Sequence, residues 1–144
     1  MAKDGKHVIH AGGVFPNPLL NREGGAIAAT APGTIGFFSV ADKFTASVAG
    51  AESSILYVAN KDYLRCLSVD DNIAANELVV GIQPLPGMFL NVRAAAGTYT
   101  KGQPVAVANG QITAVADDAA VFAYIEEDQS TTAVAGDLIR VVFK

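Results

Sequence analysis

Gly102-Gln103-Pro104-Val105-Ala106-Val107-Ala108-Asn109-Gly110-Gln111-Ile112-Thr113-Ala114-Val115 is the stretch that decides the fold. Two apolar runs flank Asn109-Gly110, and a type I′ turn needs positive φ at both of its central residues, which Asn and Gly tolerate. The stretch is therefore a β-hairpin. Val121-Phe122-Ala123-Tyr124-Ile125 follows the Asp117-Asp118 turn as another strand. Beyond Ala135-Gly136-Asp137, Leu138 to Lys144 reads as a last one. Nothing in this third of the chain carries a reactive constellation.

Working back from the hairpin, the period stays close to two. Thr34 to Val40 and Lys43-Phe44-Thr45 flank Ala41-Asp42 as a tight hairpin. Ser54 to Ala59 is rich in β formers and stops at Asn60-Lys61-Asp62. Tyr63 to Val69 is expected to be a strand, with Cys66 buried in it as an inert thiol. Asp70 to Glu77 reads as a loop or one helical turn. Leu78 to Ile82 and Met88 to Arg93 are strands separated by Pro84-Leu85-Pro86-Gly87. Nine or ten short strands at spacings of about ten residues, without a helix of ordinary length, predict an all-β barrel or sandwich. Two units, Asn76-Glu77-Leu78 and Gly136-Asp137-Leu138, place a residue that tolerates left-handed backbone before an acid and an apolar strand.

The first 25 residues differ. Val14-Phe15-Pro16-Asn17-Pro18-Leu19-Leu20 holds two prolines, which exclude a helix or a central strand, yet it is apolar. The expected organisation is an extended N-terminal arm over residues 1–25 and a single β-barrel or sandwich domain over residues 26–144. The arm would pack on a neighbour through Val14, Phe15, Pro16, Pro18, Leu19 and Leu20, or strap one end of its own barrel. Deleting residues 2–21 should then leave a folded body that has lost its contact.

The 144 residues are 51% hydrophobic and only 17% charged, against roughly 25% charged in an ordinary soluble domain. Either a membrane or other protein chains must account for so few charges. Gly24 to Ala41 is uncharged but is interrupted by Gly24, Gly25, Pro32-Gly33 and Gly36, so it does not make a membrane span. Assembly with protein partners is the expectation. A net charge of −4 and scattered Lys and Arg give no footprint for nucleic acid. No apolar stretch backs Met1 to Lys6, so no secretory signal is expected.

Residues suited to chemistry are few. His7 and His10 lie on opposite faces of any strand and lack a third metal ligand. Asp70-Asp71-Asn72 has Ala75 and Gly81 where a calcium loop needs Gly and Glu. Glu126-Glu127-Asp128 reads as a solvated turn. No phosphate-binding or nucleophile-elbow motif is present. The Gly-rich C-terminal arm that trimeric deoxyuridine triphosphatases place over phosphates is also missing. No enzyme, cofactor or metal is expected.

Pro86-Gly87-Met88-Phe89-Leu90-Asn91-Val92-Arg93-Ala94-Ala95-Ala96-Gly97, with Gly102-Gln103-Pro104-Val105, Asn109-Gly110-Gln111-Ile112 and Ala135 to Val141, resembles the capsid decoration (cement) proteins of tailed bacteriophages. The likeness covers residues 73–144. It implies a compact β-barrel, β-tulip or jelly-roll-like body in a homo-oligomer, a trimer before a dimer. It also implies a protein made in the host bacterial cytoplasm and seated on the outer capsid surface of the virion, where it bridges subunits of the major capsid protein. The alternative is a carbohydrate- or surface-binding module of a virion fibre, using Tyr57, Tyr63, Tyr99 or Tyr124.

Overall fold

The computed structural model describes residues 5–13, 21–116 and 119–144, apart from the side chain of Tyr63. Thirteen strands are found there. They are β1 (His10–Gly13), β2 (Arg22–Ala26), β3 (Ile35–Phe38), β4 (Lys43–Ala46), β5 (Tyr57–Asn60), β6 (Leu78–Ile82) and β7 (Met88–Arg93). β8 (Gly97–Tyr99), β9 (Pro104–Ala108), β10 (Gln111–Ala114), β11 (Ala123–Ile125), β12 (Thr131–Ala133) and β13 (Leu138–Val142) complete the set. The all-β class and the barrel expected from the sequence are present.

β2, β4, β3, β5 and β6 close into a five-stranded barrel, in which β2 and β4 run parallel and every other pair is antiparallel. Six of the remaining strands form an antiparallel sheet in the order β1-β7-β13-β11-β9-β10. β10 returns toward β7 through a parallel bridge between Ala94 and Ile112, so this sheet curls almost onto itself. β8 and β12 make a separate two-stranded ribbon.

The deciding hairpin has the expected register, with Gln111 opposite Ala108, and positive φ at Asn109 and Gly110. Asn76 and Gly136 also take positive φ, as their shared turn chemistry predicts. The period-two alternation explains how the two layers join. Phe38, Phe44, Tyr57, Ala59 and Val79 fill the barrel, while their strand neighbours Ile35, Val58 and Ile82 belong to the core of the six-stranded sheet. Strands used on both faces are buried on both, which is why β5 is buried along its whole length. Phe38 meets Phe44 and Tyr57 edge-on, with ring centroids 5.5 and 5.2 Å apart.

Arg93 pins the joint between the layers. Its guanidinium donates to the carbonyls of Pro32 at 2.8 Å, Gly136 at 2.7 Å and Val69, and its amide donates to Gly33.

One expected strand is absent. Tyr63–Arg65 is a single 3-10 turn, followed by Cys66 with a φ of 56°. The Asp62 carboxylate accepts the Leu64 amide at 2.9 Å, and Asp71 accepts the Ser68 amide at 2.7 Å. These local bonds take the amides a ladder would have used. Cys66 is consequently exposed and not buried. Four strands were not anticipated: β8 and β12, which are very short, β1, which lies within the proposed arm, and β2, which crosses its boundary.

Candidate contact surface

The six residues expected to make the contact, Val14, Phe15, Pro16, Pro18, Leu19 and Leu20, lie outside the described residues. The structure does describe what flanks them. β1 belongs to the six-stranded sheet and β2 to the barrel, so the boundary expected after residue 25 falls inside β2.

The described surface carries a second set of apolar groups. β2, β4 and β5 run in one direction around the barrel, and β3 and β6 run in the other. Ile27, Val48 and Leu64 follow the C-terminal ends of β2, β4 and β5, so all three stand at the same end of the barrel. They are 55%, 69% and 94% exposed. Single exposed aliphatic residues are ordinary, but three large ones at one end of a barrel suit contact better than solvent. Ile27 and Val48 sit just past a strand end and Leu64 in the 3-10 turn beyond β5, where the backbone has left the alternation that points apolar side chains inward. Sequence reasoning missed them because Val48 and Leu64 look like continuations of core-facing runs.

The surroundings of this end are tied together by hydrogen bonds. Ser47 donates to the Glu52 carboxylate at 2.6 Å, and the Val48 amide donates to it at 2.9 Å. Burial pushes the Glu52 pKa up, but the hydrogen bond from Ser47 and those from backbone amides outweigh it, so the group titrates below the ordinary carboxylate range. The hairpin tip docks against the same segment, Asn109 and Gly110 donating to the carbonyls of Val48 and Ser47. At the opposite end Arg22 closes the barrel, its guanidinium 2.6 Å from Asp42 and 4.8 Å from the centre of the Phe38 ring. The hydrogen bond to Asp42 raises the Arg22 pKa.

The candidates for chemistry are dispersed. His7 is exposed, and His10 lies in β1 opposite Leu90. No group of three His, Cys, Asp or Glu among the described residues is placed to hold a metal. Asp71 accepts hydrogen bonds from the Ser68 backbone and side chain, which lower its pKa. Glu126, Glu127 and Asp128 are not a bare solvated turn: each is ion-paired, with Lys101 at 2.8 Å, Lys6 at 3.1 Å and Arg140 at 3.0 Å respectively. Of the tyrosines, Tyr57 and Tyr99 are buried. The Tyr99 hydroxyl donates toward the carbonyls of Ala95 and Ile112, and burial raises its pKa. Tyr124 is half-buried with the Lys144 ammonium 4.1 Å from its ring centre. No helix among the described residues is long and apolar enough to cross a membrane.

No protein-family model matches the chain, and no curated protein matches it.

Proposed function

We propose that this chain is a structural virion protein that binds the outside of a phage capsid and stabilises it by bridging neighbouring major capsid subunits. The observation that carries this reading is the apolar end of the barrel, where Ile27, Val48 and Leu64 project from a hydrogen-bonded frame. A rigid β body with aliphatic groups at its end offers contact area at little entropic cost. The turn-and-strand pattern of residues 73–144 that resembles decoration proteins supports it as well, since it corresponds to β6 through β13. On a lattice, many such modest contacts add through effective concentration. The functional unit in this reading is a homo-oligomer, a trimer before other sizes, and Phe15, Leu19 and Leu20 add anchors worth about 1.5–3 kcal/mol each when fully buried.

Native mass of the purified chain, alone and mixed with empty phage heads, tests the proposal. A stable oligomer that co-sediments with heads is expected, and a monomer that ignores them overturns it. Because β1 and β2 belong to the body, deletion of residues 2–21 would remove β1 as well as the arm. The cleaner variant is the triple substitution Phe15→Ser, Leu19→Ser, Leu20→Ser. It should keep the melting temperature and lose co-sedimentation.

A further inference from the structure

The segment Lys6 to Gly13 sits on the body as a bound peptide would. β1 adds to one edge of β7, antiparallel, with His10 opposite Leu90 and Gly13 opposite Met88. Ahead of it, Asn91 holds two consecutive carbonyls: its amide donates to Ile9 at 2.7 Å and its side chain to Val8 at 2.6 Å. Lys61, itself buried, donates to the carbonyl of His7 at 3.3 Å. Ile9 is fully buried in the core of the six-stranded sheet. The Lys6 ammonium lies 3.1 Å from the Glu127 carboxylate. Main-chain bonds along an edge strand, one apolar anchor and one charged end are the elements of strand addition. The Asn91 side-chain oxygen is buried without a hydrogen-bond partner, a cost set against the bonds the same side chain and amide make to the segment.

In the bonds to His7, Val8 and Ile9 the body donates and the segment's carbonyls accept, and the last contact joins the segment's Lys6 to the body's Glu127. The covalent tie between segment and body runs through residues 14–21, which include Pro16 and Pro18. The eight steps from Gly13 to Asn21 reach at most about 26–29 Å when extended. That exceeds the ~15 Å radius of gyration expected of a body this size. A second copy's segment would make the same contacts, so exchange loses none of them and is governed by the connection and by local concentration.

We propose that the β7 edge is a strand-acceptor site whose partner is residues 6–13 of a second copy of this chain, so that copies are linked by exchanged N-terminal strands. This holds whether or not the partner surface is a capsid.

Zero-length carbodiimide crosslinking of the full-length chain tests it, because the reagent joins Lys6 to Glu127 as an amide without a spacer. Lys101 and Glu126, 2.8 Å apart within the body, serve as the internal reference. After denaturing electrophoresis and peptide mapping, the Lys101–Glu126 crosslink should occur in single-chain species. The Lys6–Glu127 crosslink should occur only in species of two or more chains, and Glu127→Gln should abolish it. Finding the Lys6–Glu127 crosslink in single-chain species overturns strand exchange. Its absence while the reference crosslink forms overturns the site itself.

Discussion

At the scale of the residue, the barrel interior depends on glycines that make room for aromatic rings. A Cβ on Gly81 would stand 2.7 Å from the Phe38 ring and 3.2 Å from the Tyr57 Cβ. Both neighbours are enclosed by strands and cannot swing away. Gly81→Ala is expected to destabilise the chain by about 1–3 kcal/mol, read as a melting temperature lowered by about 2–4 °C per kcal/mol. Glu52 supports a prediction in pH. Its folded pKa lies below its ordinary value, so its contribution is complete above the unfolded pKa and is lost as pH falls through the folded one. The stability difference between the wild type and Glu52→Gln, followed by thermal melts from about pH 7 to about pH 3, should therefore shrink on acidification. A difference that grows toward low pH would contradict the assignment. The special backbone positions Asn76, Asn109, Gly110 and Gly136 were legible as letters, because few residue types accept positive φ. The exposure of Cys66 was not, because alternation predicts a face only where a strand exists.

At the scale of the element, the hairpin β9–β10 and the strands β6, β7 and β13 were readable from alternation and turn residues alone. Tyr63 to Val69 has the composition of a strand, and the structure shows why composition loses there. Asp62 and Asp71 satisfy nearby amides locally, and the preceding strand β5 offers no open edge, since β3 and β6 pair it on both sides. β1 was hidden for the opposite reason. His10-Ala11-Gly12-Gly13 carries almost no strand propensity and is held by its partner β7. The joint between the layers rests on Arg93. Arg93→Met keeps the stem of the side chain but leaves the carbonyls of Pro32, Val69 and Gly136 without their donor. A loss of about 1.5–3 kcal/mol or more is expected, measured by denaturant unfolding with an unchanged slope. Arg93→Lys should recover only part of it, because one ammonium cannot match the fork of a guanidinium.

At the scale of the whole molecule, the barrel and the six-stranded sheet have separate cores that share strands. Ile35 and Phe38 lie on one strand and serve different cores, as do Val58 and Tyr57. Such layers should unfold together. Calorimetry is expected to show one transition whose van't Hoff and calorimetric enthalpies agree, near 100 kcal/mol for a chain of this length at about 0.7 kcal/mol per residue. Two resolved transitions would mean that the layers are independent. The sequence by itself determined the all-β class, the hairpin at Asn109-Gly110, the left-handed turns and most strands of the second half, because alternation and turn chemistry act over a few neighbouring residues. Only the tertiary structure decided the closure of the barrel, the pairing of β1 with β7, and the docking of the β9–β10 hairpin tip on Ser47 and Val48. Each of these joins residues far apart in the chain, and a sequence records the partners of such a contact without recording that they meet.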